Sequence, residues 1–186
     1  MAHLNQRISN PRTGQQMSFV ELRPELLRID SVNPATSERE PVHIHPLQES
    51  GAEVLSGSLV FEVEGVERRL TAGGSISIPP NTPHRFWNDG EEDAHSVQFF
   101  RPALDTAAFF ETYFELGRRD ELTRRGDLPL LRLAVMVPEF SDEIRPTRPP
   151  WPVVRALTAI LGPIARRRGL DGRLAYRQVG RSEAAT

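Results

Sequence analysis

Gly73-Gly74-Ser75-Ile76-Ser77-Ile78-Pro79-Pro80-Asn81-Thr82-Pro83-His84-Arg85-Phe86-Trp87-Asn88 reads as a strand, a forced turn and a second strand. Ile76 and Ile78 alternate with serines, the period of a strand with one buried face. Pro79 and Pro80 end that strand because proline has no N–H for a ladder, and Asn81 accepts a left-handed backbone. His84 and Phe86 then restart on one face of the next strand. Upstream, Val42-His43-Ile44-His45 places two imidazoles on one strand face, with β-carbons ~6–7 Å apart. Two such rings can converge on one ion at ~2.1 Å, and His84 arrives from a later strand that could face them.

Outward from these stretches the same period holds. Leu27 and Ile29, then Leu59, Phe61 and Val63, and finally His95 to Arg101 alternate between clusters of Gly, Pro, Asn and Asp. Frequent short strands from Met17 to about Phe100 predict a sandwich or barrel, in which closure removes exposed edges. After Pro102 the period changes to that of helices. Leu104, Ala107, Ala108, Phe110 and Phe114 share one face up to Gly117, and Leu128, Leu131, Ala134 and Val135 share a second up to Pro138. Val153, Val154, Leu157, Ile160, Leu161 and Ile164 make a third, expected to bend or break at Gly162-Pro163. The expected division is therefore a β domain over 1–102 and a helical extension over 103–186. The tail after Gly169 is expected to pack poorly, and Ser182 to Thr186 to be disordered. Phe109, Phe110, Tyr113 and Phe114 cover more than one helix face, which suits burial against the barrel, a dimer mate or a lid over a pocket.

Composition removes whole classes of chemistry. The 186 residues contain no Cys, and all 23 cationic side chains counted as Lys+Arg are Arg. Disulfides, thiolate nucleophiles and iron–sulfur clusters are excluded by the first fact, and Schiff-base or pyridoxal-phosphate chemistry by the second. A net charge of −2 gives no field to hold a polyanion, so nucleic acid is not an expected partner. The polar leader Met1 to Gln16 has no apolar signal core, and the apolar stretch from Trp151 to Ala165 falls short of the ~20 residues of a spanning helix. No membrane association and a cytoplasmic location are expected.

Taken with their spacings, these residues resemble the cupin superfamily. Its first motif, Gly-x5-His-x-His-x(3,4)-Glu-x6-Gly, is matched by His43, His45 and Gly57. Its second, Gly-x5-Pro-x-Gly-x2-His-x3-Asn, is matched by Gly73, Pro79, His84 and Asn88, with Asn81 in place of the middle glycine. The resemblance covers residues 30–102 and implies an all-β jelly-roll barrel with a metal held by three His and a carboxylate. It also resembles single-domain bacterial cupins with a helical C-terminal extension, and implies a homodimer.

One departure stands out. Counting back from Gly57, the slot of the acidic ligand holds Ser50, and Glu49 stands one residue earlier. A one-residue offset on a strand points a side chain to the opposite face, so Glu49 reaches the ion only if the chain there is still loop. Glu49 is the candidate fourth ligand or base beside His43, His45 and His84. Phe86, with Phe61 behind it, is the candidate pocket wall, and Gln98 a candidate polar pocket residue. A neutral imidazole set without sulfur suits Fe, Mn, Ni or Zn. The expected function is a metal-dependent enzyme acting on a small, largely apolar organic molecule, most simply as a dioxygenase. The alternatives are a cyclase or isomerase using the pocket with little or no metal, and a non-catalytic small-molecule binder.

Overall fold

A computed structural model of the chain describes residues 2–36 and 39–177. Eleven strands among them form two antiparallel sheets. The first holds β1 (Arg7–Ser9), β2 (Gln16–Arg23), β3 (Leu26–Asn33), β5 (Glu49–Ser56), β8 (Ser75–Ile78) and β10 (Ala94–Arg101), in the order β1-β2-β3-β10-β5-β8. The second holds β4 (His43–Ile44), β6 (Ser58–Val63), β7 (Val66–Thr71), β9 (His84–Trp87) and β11 (Arg145–Pro146), in the order β11-β4-β9-β6-β7. The result is a jelly-roll-like pair of facing sheets. It is not a closed barrel: among the described residues no strand of one sheet is hydrogen-bonded to a strand of the other. The right-handed twist of each sheet brings their inner faces together without closure.

Alternation decides what fills the space between. On β10, Ala94, Ser96, Gln98 and Phe100 are buried, while Val97 and Phe99 lie on the outer face. Ala52, Val54, Leu59, Phe61, Ile78 and Ala94 make the apolar core at one end. At the other end Ile8, Met17, Phe19, Leu27, Ile29 and Phe100 pack with Ala107 and Phe114 of the helical segment. The leader is thus part of the fold, since Ile8 is buried on β1.

Three helices follow: α1 (Thr106–Arg118), α2 (Leu130–Glu139) and α3 (Trp151–Arg167). Gln48 ties α1 to the sheets, its buried amide donating to the Pro102 and Ala103 carbonyls at 2.7 and 3.0 Å and to the Thr106 hydroxyl at 2.8 Å. Leu116, Leu122, Met136 and Phe140 form a core between α1 and α2. Helix α2 ends at Glu139, one residue past Pro138, as its pattern predicts, whereas α3 is not broken at Gly162-Pro163 and runs on to Arg167. Residues after Gly169 also pack: Leu174 N–H donates to the Thr112 hydroxyl at 3.1 Å, and the Tyr176 hydroxyl accepts from Ser9 N–H at 2.9 Å. The expectation for Ser182 to Thr186 falls outside the described residues.

Candidate metal centre and cavity

His43 on β4 pairs in register with His84 on β9, and His45 follows β4 directly. The turn between β8 and β9 is set by Asn81, which adopts φ 62° where the motif has glycine and donates its N–H to the His45 carbonyl at 2.8 Å. The three rings stand with centroids 4.6–5.2 Å apart. One nitrogen from each lies within 4.8 Å of the others, forming a group able to hold a metal ion.

Their protonation is settled by the backbone. Nδ1 of His43 faces the Pro41 carbonyl at 3.1 Å, that of His45 the Glu143 carbonyl at 2.5 Å, and that of His84 the Thr82 carbonyl at 2.8 Å. A carbonyl can only accept, so each Nδ1 carries the proton and each Nε2 keeps its lone pair. Burial lowers the pKa of all three: His45 falls to about 3, aided by the neighbouring His43, and His84 to about 4 for the same reasons. Three neutral rings with free Nε2 atoms suit a transition metal, and the carbonyls behind them hold the ring orientations.

The acidic residues do not sit where the motif puts its carboxylate. Glu49 lies on the outer face of β5, accepting from the Ser77 hydroxyl at 2.5 Å and pairing with Arg101 at 3.3 Å. The expectation that Glu49 joins the triad is corrected: the chain there is already strand, so its parity points it outward. Ser50, one residue on, is buried in the cavity wall, and its hydroxyl has no partner among the described residues. Sequence reasoning missed Glu40. It precedes β4, accepts the Phe86 N–H at 3.1 Å and stands 3.9 Å from His43 Nδ1. Burial pushes its pKa up to about 7, against the lowering effect of that hydrogen bond and of His84 and Arg85. Its setting in Arg39-Glu40-Pro41 looks like solvated loop, and nothing in the spacing singles it out.

A cavity of about 820 Å³ opens from the triad. Phe61 and Phe86 line it together, stacked with centroids 5.4 Å apart, and Gln98 lines it too, its amide donating to the Ser31 hydroxyl at 3.3 Å. Phe100 meets the His45 ring edge-on at 5.3 Å. Phe109, Phe110 and Tyr113 of α1, Met136 of α2 and Phe140 just after it cover the other side, so the extension is a wall of the cavity. His95 lies outside it, bonded to Asp30 at 2.9 Å.

Residues 31–99 match the family described as "Cupin domain", so the chain carries a cupin domain over that stretch. It is 30% identical over 124 residues to an oxidoreductase of Arthrobotrys oligospora, covering 62% of this chain and 47% of that protein. It is 27% identical over 130 residues to the oxidoreductase macE of Penicillium terrestre, covering 63% and 48%. The chain thus spans about half the length of these curated relatives. Among solved structures it resembles KdgF from Halomonas sp., with a TM-score of 0.50 and 24% identity over 55% of this chain and 93% of that one, a likeness of fold. No helix among the described residues is long and apolar enough to cross a membrane.

Proposed function

We propose that this cupin is a metal-dependent oxidoreductase acting on a small, largely apolar organic molecule in a dioxygenase-type reaction. The observation that carries the reading is the convergence of three neutral imidazoles, each with its Nε2 lone pair free, at the wall of a cavity lined by phenylalanines. The names of the two curated relatives agree with it. A divalent Fe, Mn, Ni or Zn ion held by His43, His45 and His84 supplies Lewis acidity and, in the redox-active cases, a place for O2 to meet the substrate. The protein's own contribution is placement. Phe61 and Phe86 present a flat wall to an apolar body, Gln98 offers a buried amide, and the α1 and α2 aromatics exclude water. Glu40, and not Glu49, is the carboxylate placed to hold a proton beside the triad. A homodimer and a cytoplasmic location belong to the same proposal; Val153, Leu157, Ile160 and Ile164 stand exposed along α3, an apolar face of the kind a second copy covers.

A second reading, a cyclase or isomerase with little use of metal, is favoured by Ser50, which puts an unpartnered hydroxyl in the wall where the motif has a ligand carboxylate. Oxygen uptake separates the two. Iron-loaded protein offered panels of catechols, flavonols and keto acids is expected to consume O2 with at least one, and His45→Ala to abolish it. No uptake with any panel removes the oxygenase reading in favour of the second.

A further inference from the structure

The cavity has a second polar end. Asn88 lies four residues beyond His84, just past the end of β9, a run of about 13 Å at strand rise. Its side-chain amide donates to the Asn33 carbonyl at 2.9 Å, which places Asn33, the last residue of β3, at the far end from the triad. Asn33 lines the cavity and is 3% exposed. Its Oδ1 accepts from the Gln15 amide at 3.2 Å, which fixes the orientation of the group and leaves Nδ2 over, without a partner among the described residues. A buried N–H donor without an acceptor is a standing cost, relieved when a ligand brings an oxygen.

Charge around this end has the matching sign. Thr13 and Gln15 approach from the β1–β2 turn, and Arg124 and Arg125 from the loop between α1 and α2. That loop lies against the turn: a β-carbon on Gly126 would stand 2.9 Å from Thr13 Cγ2, and the Tyr113 hydroxyl donates to the Gly126 carbonyl at 2.8 Å. Arg12 is also in the lining but is engaged with Asp120, and Arg125 too has an interaction of its own. Asp127 is the acid beside the two loop arginines. Between the ends the walls are the Phe61–Phe86 stack on one side and Phe109 and Phe110 on the other.

We infer that the substrate is elongated, with oxygen donors at one end for the triad, an apolar body, and a carboxylate at the other end received by Asn33 under the Arg124-Arg125 loop. This rests on the triad being the reacting centre, as proposed above. Two probes of equal length test it: 8-(3,4-dihydroxyphenyl)octanoate, and 4-octylcatechol, which ends in a methyl group. Calorimetry on zinc-loaded and metal-free protein is expected to show the acid binding at least tenfold tighter than the alkyl probe in both forms. Asn33→Asp keeps the shape and the acceptor for Gln15 but turns the spare donor into an acceptor, and is expected to erase the preference. The surface double variant Arg124→Ala/Arg125→Ala is expected to cut it severalfold. Metal removal is expected to weaken both probes alike; if it weakens neither, the triad reading fails while the tail preference stands. Equal or tighter binding of the alkyl probe, or no binding of either at millimolar concentration, overturns the inference.

Discussion

The His45 imidazole donates from Nδ1 to the main-chain carbonyl of Glu143, 2.5 Å away and 98 residues further along the chain. The segment after α2 therefore orients a candidate metal ligand. The Glu143 side chain anchors that segment in turn, accepting the Asp105 N–H at 3.0 Å just ahead of α1. Beside it, β11 pairs with β4 through Arg145 with Ile44 and Pro146 with His43.

Loosening this anchor is expected to be felt at the triad. Glu143→Ala removes the bond to Asp105 and frees the segment that carries the carbonyl. Loss of a group that orients a metal-bound histidine costs about 10–100-fold in affinity. Competition with a chromogenic chelator is expected to show a loss at the lower end of that range, because the carbonyl itself is retained. Unchanged affinity would mean that the contact is incidental.

Parity on β5 gives a paired outcome. Glu49→Gln is expected to leave metal affinity within about twofold, since that carboxylate faces Ser77 and Arg101 on the outer face. Ser50→Glu points a carboxylate inward from the buried slot, and is expected to raise affinity about tenfold or more while lowering the stability of metal-free protein through an unpaired buried charge. Chelator competition and urea unfolding read the two effects separately. A larger effect from Glu49→Gln than from Ser50→Glu contradicts the assignment of faces.

The triad and the sheet parity were legible because both depend on local spacing. His-x-His on a strand shares a face whatever the tertiary fold, and Pro79-Pro80-Asn81 forces the turn that brings His84 back. The offset of Glu49 from Ser50 carried its warning in the same way. Glu40 and Glu143 were not legible. One sits in an Arg-Glu-Pro run and is half-buried, with the Phe86 N–H donating to it; the other acts through a carbonyl, which has no side-chain signature. A two-residue strand such as β11 shows no alternation at all. A break at Pro163 does not occur, because α3 continues to Arg167, packed on α2.

Metal-free protein is expected to lose stability as pH falls. His45 and His84 titrate near 3 and 4 in the fold and near 6.5 when unfolded, so between those values the unfolded chain binds more protons. Stability from them is complete above pH 6.5 and drains away toward pH 4. Glu40 acts oppositely: held at about 7 against 4.5 unfolded, it contributes below pH 4.5 and loses its contribution as pH rises to 7. The histidines outnumber it, so the urea midpoint is expected to rise from pH 4.5 to 6.5 and then level off. A midpoint that falls over that range contradicts the burial of neutral rings.

Gly51 separates packing from chemistry. A β-carbon there would stand 2.1 Å from the Ile76 carbonyl oxygen and 2.6 Å from the Phe99 ring, so backbone must move. Gly51→Ala is expected to cost about 3 kcal/mol, the upper part of the range for overpacking. Chemical denaturation measures it; a change below about 0.5 kcal/mol, the scale of an ordinary surface substitution, would mean that β5 and β8 are not paired as described.

The central claim is that His43, His45 and His84 hold one transition-metal ion, and elemental analysis of protein purified without an affinity tag tests it most directly. The account predicts close to one equivalent of a divalent transition metal in the wild type and its loss in His45→Ala and His84→Ala, each still folded by circular dichroism. Wild-type protein that neither carries such an ion nor takes one up from micromolar solution, or variants that keep it, would contradict the account.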